Sequence, residues 1–167
     1  MILFDPDLDS DPALNSASAK PADARKQLRL PTARTLGRFL AAAQTAVRLR
    51  GQVTVLLTTD KAIRSLNRRF RGKNKATDVL SFPAEPGIHG GERIAGDLAI
   101  SVPTAARQAA AQGHPLATEI KVLMLHGLLH LAGYDHETDE GQMARRERLL
   151  RARLKLPQGL IERSSGR

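Results

Sequence analysis

The sequence predicts an α/β fold: a mixed sheet of about four strands, helices packed on it, and a zinc site at the end of a central helix. Three observations carry that prediction. Short β-rich runs alternate with runs of helical periodicity along the chain. One helical run, from Pro115 to Ala132, is apolar nearly all round, which only a helix central to the fold can be. Three of the chain's five histidines, His126, His130 and His136, fall within eleven residues at the end of that run.

Taken in order, Ile2-Leu3-Phe4 is short enough for one edge strand. Ser10 to Ala24 is rich in Ser, Ala, Asp and Pro and reads as a flexible segment. Pro31 to Arg50 is a helix: Thr32 can cap it, Leu36, Phe39, Leu40, Ala43 and Val47 recur at helical spacing, and Gly51 ends it. Gln52 to Thr59 is a strand. Asp60 is the expected N-cap of a helix that turns Ile63, Leu66 and Phe70 inward and its basic residues outward, with Gly72 closing it.

A polar loop then leads to the strand Val79–Phe82. Pro83 to Gly91, a run of Pro, Gly and acid, reads as a hairpin-type connection. Ile94 to Ser101 is the fourth strand, and Pro103 to Gln112 an Ala-rich helix ended by Gly113. Pro115 opens the apolar helix, Asp139 to Leu156 forms a last basic helix, and Pro157 to Arg167 is expected to be a disordered tail. At 167 residues, with no internal repeat, one domain over residues 1–167 is the expectation.

The histidine run reads His126-Gly127-Leu-Leu-His130-Leu-Ala-Gly133-Tyr-Asp135-His136. Residues four apart share one helix face, so His126 and His130 can aim at one point. Gly133 permits a backbone turn that brings His136 round to the same point. A lone His on an apolar helix is more often a core residue with one hydrogen bond. Three at this spacing, two of them on so apolar a helix, are costly to bury without a common partner. Three neutral imidazoles are the ligand set of a catalytic Zn²⁺, one per chain, with a fourth position left open.

Composition narrows the chemistry. There is no cysteine, which excludes disulfides, thiolate nucleophiles, zinc ribbons and iron–sulfur clusters. No signal peptide is visible at the N-terminus, and the apolar run is too short and too polar to span a bilayer, so a cytoplasmic location is expected. The net charge is +9. Lys61, Arg64, Arg68, Arg69, Arg71, Lys73 and Lys75 lie within fifteen residues, and Arg145, Arg146, Arg148, Arg151, Arg153 and Lys155 follow the histidines. Two such clusters beside a metal site favour a polyanionic partner over a merely solvated face, and neither has the apolar face of a membrane-surface helix. With 3% aromatic residues, a base-stacking platform is not expected.

The spacing His-x₃-His-x₂-Gly-x₂-His is that of metzincin peptidases, yet Gly127 stands where those enzymes carry a Glu general base. Deaminase zinc signatures need cysteines that this chain lacks. Phosphodiester hydrolysis fits, because positioning and electrostatic stabilisation carry most of phosphoryl transfer. Arg71, at a helix end before Gly72, could grip two phosphate oxygens, or could be a solvated Arg favourable to the helix dipole. Asp135, Glu119 or Asp97 could orient a ligand His through its second nitrogen.

The run His126 to His136 resembles the signature of the YbeY family of bacterial endoribonucleases, the rRNA maturation factors. Upstream, Leu66-Asn67, Arg71-Gly72-Lys73, Thr77-Asp78-Val79-Leu80-Ser81-Phe82 and Gly96-Asp97-Leu98-Ala99-Ile100-Ser101 match in the same order. These segments span most of residues 50 to 140; the first thirty residues and the last dozen carry none of it. The resemblance implies a zinc-dependent enzyme that cleaves single-stranded RNA, matures the 3′ end of 16S rRNA on the small ribosomal subunit and serves ribosome quality control. It implies zinc on His126, His130 and His136, and a functional role for Arg71. The competing readings are a ribosome-associated RNA-binding assembly factor with a structural zinc, in contact with ribosomal proteins, and a metallopeptidase, disfavoured by Gly127.

Overall fold

The computed structural model describes residues 1–15, 22–85, 88–89 and 91–158. Its centre is a mixed sheet with strand order β1-β2-β5-β3. The inner strands β2 (Gln52–Thr58) and β5 (Glu92–Ser101) run parallel, in the register Val55↔Leu98 and Leu57↔Ile100. β1 (Ile2–Phe4) adds parallel to β2 at one edge. β3 (Val79–Pro83) lies antiparallel to β5 at the other, with Ser81 opposite Leu98. A two-residue strand, β4 (Ile88–His89), pairs with the start of β5, so the expected hairpin-type connection carries a rung of its own and β5 begins two residues earlier than the apolar pattern suggests.

Side-chain alternation along the strands divides the core between two faces. On one face Val53, Val55, Leu57, Leu98 and Ile100 meet α3 (Ala33–Val47), α5 (Val102–Gln112) and α6 (Leu116–Leu131). On the other, Leu80 and Ala99 pack with Ile63 and Leu66 of α4 (Asp60–Arg71). Eleven of the sixteen residues of α6 are buried, which bears out the central helix. Each fully buried Leu there is worth about 1.5–3 kcal/mol of transfer free energy, so this helix anchors the fold.

Helix ends follow side-chain chemistry. Thr32 accepts the N–H of Thr35 at 3.2 Å, the expected cap of α3. That helix stops earlier than Gly51, because Arg48 takes the left-handed conformation at φ 63°. The N-cap of α4 is Thr59, which accepts from Ala62 N, and not Asp60. Asp60 is released to accept from Ser101 Oγ at 2.5 Å, Thr104 Oγ1 at 2.6 Å and Arg107 Nη2 at 2.8 Å, tying α4 to the start of α5. Phe70, expected inward, is 59% exposed and meets Phe82 edge-to-face at 5.4 Å.

Of the segment 10–24, residues 6–10 close a 3-10 turn, α1 spans Pro12–Asn15 and α2 spans Ala22–Gln27. Residues 16–21 lie outside the described residues, as do 159–167 of the expected tail. Among the described residues no helix is long and apolar enough to cross a membrane.

Candidate metal centre

The three histidines come together. His126 and His130 stand one turn apart at the end of α6, and their Nε2 atoms are 3.1 Å from each other. Two tetrahedral zinc ligands at about 2.0–2.1 Å would be roughly 3.3 Å apart, so this pair already has the separation that a metal needs. After α6, Gly133 turns the chain at φ 99°. Asp135 then shapes the next turn by accepting from Glu137 N at 3.0 Å and Thr138 Oγ1 at 3.1 Å. His136 is thereby folded back, its ring centre 5.1 Å from that of His130 and 5.6 Å from that of His126.

One ligand atom from each of the three lies within 4.8 Å of the others, a group that could hold a metal ion. His136 supplies the test of fit. Both of its ring nitrogens are buried and, among the described residues, have no hydrogen-bond partner. Buried polar atoms are costly unless something binds them, and a metal shared with His126 and His130 would do so.

The orientation of His126 comes from α7 (Gln142–Arg153), where sequence reasoning did not look. Its Nδ1 lies 3.2 Å from Oε1 of Glu147, and Arg151 donates to the same oxygen at 3.3 Å. Burial alone would raise the Glu147 carboxyl, but the hydrogen bond and charge of His126, followed by those of Arg151, outweigh it and hold the group at about 2. A carboxylate that ionised can only accept. Nδ1 of His126 therefore carries a proton, and when the ring is neutral it is Nε2 that has the lone pair for a metal. Glu147 is the one acid between Arg145 and Arg153. In sequence, Glu147 and Arg151 look like an ordinary i,i+4 surface pair, and only the packing of α7 against α6 shows otherwise.

The carboxylates suggested from sequence do other work. Glu119 is buried against His114 at 2.5 Å, Asp97 is exposed on β5, and Asp135 holds the turn just described. The second basic cluster is also partly structural. Arg151 is 4% exposed, and Arg146 donates to the carbonyl of Ala46 at 3.2 Å. The first cluster stays on the surface.

Arg71, the last residue of α4, reaches round the edge of the sheet to place Nη2 3.5 Å from the carbonyl of Ser81, a long contact. It lines a cavity of about 350 Å³ together with Ser81, His130, Tyr134 and His136. The structure thus brings Arg71, His130 and His136 to one opening, with His126 buried behind them. Gly127 has a packing reason: a Cβ there would lie 2.7 Å from Leu98 Cδ2, because α6 rests directly on β5. A side chain there would have to displace the buried Leu98.

Fold and site together define an α/β protein that gathers three imidazoles, able to hold a metal ion, beside a basic cleft at the end of its central helix. The family model for endoribonuclease YbeY matches residues 19–155, and the chain belongs to that family. It is 52% identical over 141 residues to an endoribonuclease YbeY of Koribacter versatilis (strain Ellin345), covering 84% of this chain and 90% of that one. An endoribonuclease YbeY of Solibacter usitatus (strain Ellin6076) is 55% identical over 109 residues, covering 65% and 69% respectively. The solution structure of TM1509 from Thermotoga maritima superposes with a TM-score of 0.51 at 26% identity, over 75% of this chain and 85% of that one.

Proposed function

We propose that this chain is a zinc-dependent endoribonuclease, specific for single strands, that acts in maturation of the 3′ end of 16S rRNA and in ribosome quality control. The observation that carries the reading is the shared opening. Arg71 from α4 lines one cavity, wide enough for a backbone phosphate, with His130 and His136, and His126 stands behind them as the third candidate ligand. Family membership supports RNA as the substrate, and the surface cations of α4 supply the charge to hold it.

A zinc ion on His126, His130 and His136 would supply Lewis-acid polarisation of a phosphoryl oxygen and activation of water. The chain does the rest. Glu147 fixes the tautomer of His126, and Arg71 offers its planar fork to phosphate oxygens from the opposite side of the cleft. Closed by Leu98, the position of Gly127 offers no carboxylate for peptide hydrolysis. The reading carries with it a cytoplasmic location and a small-subunit precursor as partner.

The test is cleavage of single-stranded and structured RNA by zinc-loaded and chelated protein, with mass analysis of the new ends. Chelator-sensitive cutting of single strands is the expected result. Tight RNA binding without any cutting would favour the assembly-factor reading instead.

A further inference from the structure

The outer edge of β3 points to a second element of phosphate recognition. Asp78 C=O accepts from Ser101 N at 2.9 Å and Ala84 N donates to Ala95 C=O at 3.2 Å, so residues 78 and 84 turn their backbone polar groups toward β5. In an antiparallel pair this direction alternates residue by residue, with N–H and C=O of one residue on the same side. Leu80 and Phe82 therefore also face β5, while Val79, Ser81 and Pro83 face outward.

An exposed edge usually offers a ladder of donors and acceptors to any passing strand. On this one the donors are nearly all engaged or missing. Val79 N–H donates to the Asp78 carboxylate at 2.7 Å, Ser81 C=O is met by Arg71, and residue 83 is proline, which has no N–H. One outward donor is left over: among the described residues, nothing partners the N–H of Ser81. Ser81 lines the cavity that Arg71, His130 and His136 share. A peptide adding as a strand would need the carbonyl that Arg71 covers and a donor that Pro83 lacks. A phosphate needs only donors, and here it finds a backbone N–H beside a guanidinium.

We propose that the Ser81 N–H binds a non-bridging oxygen of the substrate phosphodiester while Arg71 holds the other, so that β3 positions the phosphate against the histidines. This rests on the endoribonuclease reading and adds a positioning group to it.

The experiment replaces the amide at Ser81 with an ester by semisynthesis, which deletes this N–H and keeps the side chain. The control is the same exchange at Val79, whose N–H is already engaged by Asp78. In metal-free protein, the affinity for a short single-stranded RNA should fall about 10-fold for the Ser81 ester and stay within about 2-fold for the Val79 ester. Equal affinities for the Ser81 ester and the native protein overturn the proposal, as does an equal loss for both esters. So does native binding of an extended peptide that the Ser81 ester abolishes.

A second arm uses RNA with one sulfur at the scissile phosphate. In zinc-loaded native protein, one diastereomer should be cleaved about 10-fold or more slowly and not be rescued by Cd²⁺. In the Ser81 ester that penalty should disappear; its persistence counts against the assignment. If the native protein cleaves no RNA at all, the endoribonuclease reading fails, and the affinity arm still decides the role of Ser81.

Discussion

Glu147 on α7 holds Nδ1 of His126 on α6 at 3.2 Å, and through it fixes which nitrogen faces the three-histidine cluster. The carboxylate is anchored in turn by Arg151, which is itself almost fully buried. Removing Glu147 therefore frees the ring to rotate and leaves a buried guanidinium without its counter-charge. Glu147→Ala should weaken zinc binding by about 10- to 100-fold in competition with a chromophoric chelator. It should also destabilise the metal-free protein by about 3 kcal/mol or more in denaturant titration, because one partner of a buried pair is lost. Unchanged zinc affinity would show that the hydrogen bond is incidental.

His130→Ala removes one of three candidate ligands. Bound zinc, expected at about one per chain, should fall to a small fraction by elemental analysis, since two imidazoles rarely hold Zn²⁺ firmly. The melting temperature in excess zinc should fall as well, because the ion ties the end of α6 to the turn carrying His136 and binding stabilises the folded state by mass action. Full occupancy in this variant would remove His130 from the ligand set.

Arg71→Lys keeps the charge and loses the planar fork. RNA cleavage should drop by about 10-fold or more while zinc content stays at the native level, since Arg71 meets the cleft from the side away from α6. Native turnover in Arg71→Ala would make this residue only a solvated helix end.

Asp60 provides a pH signature away from the site. Burial raises its carboxyl, but hydrogen bonds from Ser101, Thr104 and Arg107, with the charge of Arg107, bring the balance below the ordinary 3.8. A group with a depressed folded value stabilises most where it is ionised in both states. The stability gap between native protein and Asp60→Asn should therefore be full above about pH 5. It should shrink as pH falls through 3.8 and vanish below the folded value. Denaturant midpoints of metal-free protein across that range give the gap directly. A gap that widened on acidification would reverse the sign of the coupling.

Much of this was legible in the sequence, for physical reasons that differ by element. The four main strands and α6 announce themselves because burial on one face or all round leaves a period in the residues. The three histidines are legible because one helical turn and one glycine turn are local geometry. Glu147 and Arg151 were not legible as support for His126, because their meeting depends on α7 packing across α6, and no local period records that. Phe70 misled for the converse reason: its helical spacing matches Ile63 and Leu66, but it sits on the last turn of α4 and stays 59% exposed. Arg71 follows it as the last residue of α4 and lines the cavity.

The exposure of the basic residues also decides how RNA should be held. Of the two basic clusters, the one on α7 is partly consumed by structure, since Arg151 pairs with Glu147 and Arg146 caps a carbonyl of α3. The one on α4 keeps Arg68 and Arg69 exposed, on the same last turn as Arg71, which lines the cavity. Binding should therefore be dominated by backbone contacts to α4 and its loop. The logarithm of affinity should fall linearly with that of salt, with a slope of about −0.7 per phosphate contact on a single strand. Charge reversal of Arg68 and Arg69 to Glu should weaken binding to all sequences alike and flatten that slope, with zinc content unchanged. Arg151→Glu, by contrast, should lower stability and disturb the metal site before it alters the slope. Affinity insensitive to salt, or lost for one base only, would require a base-reading pocket in place of this backbone clamp.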